Sequence, residues 1–237
     1  DLALALLLFE LGIRVDLRWF RSNPWILATS IAEASLTFSG AFAVLLLMGS
    51  TPGFAATVAA NAIGTSPAVV MKVAAELRAD GQVTQRLFVL TALNVLYSVV
   101  LSKLIVGGMH GAFRSDWSIA ITHPLYLLAG SLLMGVAIAA AFRVIRRFFD
   151  LSDEQGVATL FGLLLLSLAL LNMFALPTIL APLLAGVIVK SCDRRPHLWP
   201  RHFGTAGGVL IILLFVLTGV TLTGKAIISG GVAALAL

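Results

Sequence analysis

Long apolar runs separated by short polar segments dominate this chain, and they leave it very few folds. Eight of them lie at roughly 1–13, 25–48, 54–71, 87–108, 123–142, 157–171, 176–189 and 204–222, and a ninth begins at 226. A helix of about 20 apolar residues crosses a hydrocarbon core of about 30 Å. It also satisfies its own backbone hydrogen bonds, which loops and open sheets cannot do in lipid. Composition points the same way: 59% of the 237 residues are hydrophobic and 11% are charged, against about 25% charged in a soluble domain. So few charges cannot clothe a water-facing surface. The expected fold is an all-α, polytopic membrane bundle with the lipid bilayer as its solvent.

The sixth and seventh runs are short for a full crossing, and Asn172 and Pro177 punctuate them closely. Tilt or different boundaries would account for that. The chain opens inside one apolar run, Leu2 to Leu11, and closes inside another, Ala226 to Leu237. Residues 1–237 therefore read as a partial transmembrane transporter domain of about nine spans, the first and last truncated.

Basic residues in short loops mark the cytoplasmic side, and here they alternate. The first connection carries Arg14, Arg18 and Arg21, the second none, the third Lys72, Arg78 and Arg86, and the fourth Arg114. The fifth carries Arg143, Arg146 and Arg147, the sixth none, the seventh Lys190, Arg194, Arg195 and Arg201, and the last Lys225. The alternation supports the span count and places the first span running inward, in a cell inner or plasma membrane.

Other classes fit poorly. The net charge of +5 is spread over loops rather than along one aromatic-interleaved face, which excludes a nucleic-acid partner. Cys192 is the only cysteine, so no disulfide forms within the chain. No ligand-spaced His/Cys/carboxylate cluster, nucleophile elbow or phosphate-cradling glycine loop is present. No enzyme, metal or cofactor is expected.

Two spans depart from plain lipid-facing helices. In the third, Asn61, Gly64, Thr65, Ser66 and Pro67 interrupt the apolar run near its middle. Pro67 has no N–H and frees the carbonyl of Ile63. Freed carbonyls and hydroxyls at membrane depth either coordinate a small cation or merely relieve a proline kink. The eighth span is uncharged but punctuated by Gly204, Gly207, Gly208, Thr218, Gly219 and Thr221, and it runs opposite to the third. Spans 2-3-4 and 7-8-9 thus present an inverted-topology pattern with an interrupted segment central to each. Close packing at glycine is the competing account of span 8.

Polar side chains inside the spans supply the candidate ligands. Thr91, Asn94, Ser98 and Ser102 recur at helical spacing on span 4, a stripe suited to cation ligation or to interhelical hydrogen bonding. Glu33 lies well inside span 2, and Thr29, Ser30, Glu33, Thr37 and Gly40 fall on one face, which is expected to point into the bundle rather than at lipid. An acid at that depth is costly and seldom idle; it either exchanges protons or, protonated, glues helices. Glu10 has Arg14 at i+4 and reads as an interfacial ion pair. Lys72 and Lys103 read as snorkelling side chains, and His123, before Pro124, as a cap or interfacial residue at a span entrance rather than a proton relay.

Several of these pieces, in order, resemble the Kef/Nap-type branch of the monovalent cation:proton antiporters, also called the sodium/hydrogen exchanger family. Phe9, Gly12 and Asp16 look like its Phe, Gly and acid at a helix end, and Ala62-Ile63-Gly64-Thr65-Ser66-Pro67 like its broken-helix Ser/Thr segment. The connector Lys72 to Arg86 is also similar. So are Leu183-Leu184-Ala185-Gly186-Val187, beside the family's Phe-Leu-Ala-Gly stretch, and Phe215 to Thr221, beside its second break. The resemblance implies a sodium/proton antiporter-like fold with inverted-topology repeats and two broken helices, working as a homodimer. It implies antiport of K+ or Na+ against protons. Taken with the polar residues of the spans, the cation- and proton-binding candidates are Asn94, Thr65, Ser66, Asn61 and Glu33, the last as an acid elsewhere in the membrane, and the broken-helix residues are Gly64, Pro67, Gly219 and Thr221. The family's midplane amide–acid pair falls here on Asn94 and Val95, so the amide is kept and the carboxylate is not. A non-coupled relative with a regulatory or structural role, or an uncoupled solute transporter, is the alternative.

Overall fold

The structure, a computed structural model, describes residues 1–15, 17–114, 117–148, 153–192, 212–213 and 215–220. Among them the ordered elements are helices: α1 (Leu2–Arg14), α2 (Leu17–Ser22), α3 (Trp25–Leu47), α4 (Pro52–Ala62), α5 (Pro67–Glu76), α6 (Gln82–Arg114), α7 (Trp117–Phe148), α8 (Asp153–Met173) and α9 (Leu180–Cys192). Among the described residues, four stretches are long and apolar enough to cross a membrane: Trp25–Leu47, Pro52–Glu76 (α4 and α5 together), Gln82–Met109 and Thr122–Ile145.

Apart from Glu10 and Arg14, the 13-residue α1 is apolar, and it buries Ala5 to Phe9, Leu11 and Gly12, as a helix at the centre of a bundle must. Its opposite faces feed two cores. Leu6 and Phe9 join Leu127, Phe142, Leu164 and Ala185 of α7, α8 and α9, where Phe9 meets Phe142 edge to face with centroids 6.3 Å apart. Leu8, Leu11 and Val15 join Ile26, Met71, Phe88 and Val95 of α3, α5 and α6. Lipid tails are as apolar as leucine, so this packing is held by close van der Waals fit rather than by exclusion of water.

Glycine makes the closest fit. A Cβ on Gly186 of α9 would strike the Phe9 carbonyl oxygen and lie 3.0 Å from the Gly12 Cα; one on Gly12 would strike the Leu183 carbonyl oxygen. The α1 and α9 backbones therefore touch, and the two family-like segments around Gly12 and Gly186 meet. Gly135 of α7 approaches α9 similarly, its Cβ position 3.0 Å from the Ala181 carbonyl oxygen.

Two expectations change. Pro124 lies inside α7 rather than at its entrance, because the helix starts earlier, at Trp117, so His123 is not a cap. The short α2 fills a connection that sequence periodicity leaves blank. Glu10 and Arg14 form the expected i,i+4 pair at 3.0 Å, and the Arg14 guanidinium also sits 5.0 Å above the Phe88 ring, tying α1 to α6. Residues 215–220 are helical, Gly219 included; Asp16, Gly204, Gly207, Gly208 and Thr221 lie outside the described residues.

Candidate ion site

The site begins with the interruption between α4 and α5. Pro67 fixes its own φ, lacks an N–H and biases the residue before it away from helix; Ser66 is accordingly extended, at φ −69° and ψ 112°. The Gly64 N–H turns back to the Asn61 carbonyl at 3.0 Å and the Val70 N–H to that of Ser66 at 3.2 Å. With no N–H on Pro67, the Ile63 carbonyl has no helical donor. The segment lies flat on α6, since a Cβ on Gly64 would come 3.2 Å from Ser98 Oγ.

On α6 the polar stripe faces this interruption. Thr91, Asn94 and Ser98 are buried, and the Thr91 hydroxyl returns to the Leu87 carbonyl at 2.8 Å. The Asn94 side chain does more: its Nδ2 donates to Glu33 Oε1 of α3 at 3.1 Å and to Thr65 Oγ1 at 3.0 Å. A carboxyl oxygen accepts hydrogen bonds, so the amide nitrogen is the end that faces it. Asn94 itself is 2% exposed, and its Oδ1 is buried without a hydrogen-bond partner.

Three of the expected residues, Glu33, Thr65 and Asn94, are thus brought together from three elements. Asn61 is not among them. It sits on the last turn of α4, donates to the Thr57 carbonyl at 3.0 Å and accepts from Ser102 Oγ at 3.4 Å, about two turns beyond Asn94 along α6. Ser66 is exposed and its side chain caps nothing on α5. Val95 turns away into the apolar core with Leu8, Leu11 and Phe88.

The face of α3 also differs from expectation. Ile26, Ser30, Ala34, Ala41 and Leu45 are buried, whereas Thr29, Glu33, Thr37 and Gly40 are exposed. Small side chains let α3 approach its neighbours, and Glu33 lies on the flank of that contact, reaching Asn94 from an open side. Sequence reasoning missed Tyr97, one turn beyond Asn94, whose hydroxyl is buried without a partner, as is that of Ser30. A polar tip within an apolar span was its signal.

Carboxylate, hydroxyl and a freed carbonyl beside a helix break are hard oxygen donors of the kind that hold small monovalent cations at membrane depth. A sequence profile described as the transmembrane sodium/hydrogen exchanger matches residues 1–237. No curated protein matches the chain.

Proposed function

The chain belongs to the sodium/hydrogen exchanger family, integral multi-pass transporters of cation:proton antiport, and from that premise we propose that it exchanges K+ or Na+ for protons by alternating access around the α4–α5 interruption. The observation that carries the proposal is the double donation of Asn94 Nδ2 to Glu33 and Thr65. It gathers an acid, a hydroxyl and an amide at the interruption where Pro67 leaves the Ile63 carbonyl without its helical donor. Exposed apolar side chains along α7, among them Leu125, Leu132, Leu133 and Val136, supply a face for lipid or for the second copy of a homodimer.

Reconstitution tests this reading. Liposomes loaded with a pH-sensitive dye and acidic inside should become alkaline when K+ or Na+ is added outside, and choline should have no effect. Cation-independent proton flux, or none, rejects it. Val95 favours the second reading, a non-coupled relative, because the acid expected beside Asn94 is absent and its place is filled by core packing.

A further inference from the structure

We infer that the seam between α3 and α6 holds an internal water molecule, bound by Ser30 Oγ, Thr91 Oγ1 and Asn94 Oδ1, and that through it Ser30 is a positioning residue for the Asn94 amide. Among the described residues, three buried side-chain polar atoms have no hydrogen-bond partner: Ser30 Oγ, Asn94 Oδ1 and the Tyr97 hydroxyl oxygen. Such atoms are costly, and in folded proteins they are paired with protein or with ordered water.

Ser30 stands apart from the other hydroxyls. A hydroxyl inside a helix can bond back to the carbonyl one turn earlier, and Thr29, Thr57, Thr91, Ser131 and Ser191 each do so, at 2.7–2.9 Å. Ser30 is 0% exposed and forgoes that bond, although the Ile26 carbonyl lies four residues before it. Its hydroxyl is therefore free for a partner outside its own helix.

Helix register brings two more oxygens to its level. One returning span, Pro52–Glu76, separates α3 from α6, so the two helices cross the membrane in the same direction. Glu33 meets Asn94. Ser30 lies three residues before Glu33 and Thr91 three before Asn94, about 4.5 Å of rise on each helix, which sets Ser30 level with Thr91. A turn further back, Ile26 shares an apolar cluster with Phe88 and Val89, as that register requires. Asn94 Nδ2 is turned to Glu33 and Thr65, which leaves Oδ1 for the Ser30 and Thr91 level. By the same register Tyr97 is level with Leu36, so its hydroxyl belongs to the next turn.

The hydrogen-bonding capacities close on water. Thr91 gives its proton to the Leu87 carbonyl, so its Oγ1 has only lone pairs left, and an amide oxygen only accepts. Ser30 still has a proton to give. A water donates to Thr91 Oγ1 and Asn94 Oδ1 and accepts from the Ser30 hydroxyl, three bonds, the usual number for a buried water. An anion would face one donor and two acceptors. A cation would face three neutral oxygens, with the carboxyl group at the other end of the amide. Thr29 and Glu33 are exposed, which gives water its way into the seam. With Oδ1 tied in this way, Nδ2 stays aimed at Glu33 and Thr65. The bearing of that on ion exchange rests on the reading above, whereas the water itself does not.

Melting of the purified full chain in detergent tests the water, and the sign decides. Removing an orphaned hydroxyl relieves a penalty, whereas removing a partner of a bound water breaks a bond. Ser30→Ala should lower the apparent melting temperature by roughly 2–4 °C, equally in NaCl, KCl and choline chloride. Thr91→Val should lower it too, and the double variant should fall by less than the two drops added together, because hydroxyls with no bond to each other lose the same water. An unchanged or raised melting temperature in Ser30→Ala, or additive drops, overturns the inference. So does a drop that vanishes in choline, which would put a cation in the water's place. In liposomes Ser30→Ala should raise the apparent KM for the cation roughly two- to tenfold, the worth of one hydrogen bond, with the maximal rate unchanged. An unchanged KM beside a lowered melting temperature overturns the positioning role. A wild-type chain without flux rejects the exchange, and the melting curves still decide the water.

Discussion

Asn94 Nδ2 lies 3.1 Å from Glu33 Oε1, a contact between α6 and α3 that spans 61 residues of chain and also engages Thr65. Asn94→Ala removes both hydrogen bonds. Interhelical bonds in membranes contribute roughly 0.6–2 kcal/mol each, so the variant should fold with a modestly lower melting temperature. Its cation-dependent flux should fall tenfold or more, because Glu33 and Thr65 are no longer held together. Equal flux from Asn94→Ala and wild type, measured in liposomes at matched protein content, would count against this site.

At position 95 the expected outcome is loss rather than gain. Beside Asn94, an acid looks like the missing half of an antiporter pair, yet Val95 is 7% exposed and packs against Leu8, Leu11 and Phe88. Val95→Asp therefore puts a carboxylate into the apolar core, at a cost of about 2.5–3.5 kcal/mol on insertion scales. Thermal unfolding in detergent should show a clear drop, with no increase in proton flux. A stable Val95→Asp protein with raised flux would mean that α6 presents this residue to the site.

Thr65 offers a finer probe. Thr65→Ser keeps an acceptor for Asn94 and should retain most activity, whereas Thr65→Val keeps the shape and loses the hydroxyl. The valine variant should show weaker cation binding, read as a raised apparent KM with folding unchanged. Identical KM values for the two variants would remove the hydroxyl from the ligand set.

Gly186→Ala should destabilise the protein by about 1–3 kcal/mol, the usual cost of overpacking, because the new methyl meets the backbone of α1. Gly162→Ala is the control, since nothing lies within 4 Å of a Cβ there. Melting temperatures that fall equally in both would show that the α1–α9 crossing is looser than described.

Orientation can be read from a native residue. Cys192 is a free, exposed thiol at the end of α9, beside the connection richest in Lys and Arg. An impermeant thiol reagent should spare it in intact cells and label it after permeabilisation, while Ser50→Cys should react in intact cells. The opposite pattern reverses the topology.

Much of the bundle was legible because membrane helices announce themselves by length and hydropathy: α3 runs Trp25–Leu47 where the apolar run is 25–48. The interruption was legible because proline chemistry is local. Pro67 dictates what Ile63 and Ser66 do wherever the helix goes. Rotation of a helix about its axis is not local. The polar face of α3 marked Glu33 as a candidate, but small residues at Ser30, Ala34 and Ala41 decided which side packs, and only the assembled helices bring Glu33 to Asn94. Asn61 and Ser66 were grouped with the site by proximity in sequence; the turn at Gly64 carries them to other neighbours.

The contact of Gly12 with Gly186 restricts how such a protein can change shape. A slip of one turn, about 5.4 Å, would set Pro182 or Lys190 against Gly12, where even a methyl group finds backbone in its way. α1 and α9 are therefore keyed, and they turn together or not at all. Any slip plane must run along another seam, and the one between α3 and α6, bridged by a single amide, crosses the carboxylate itself.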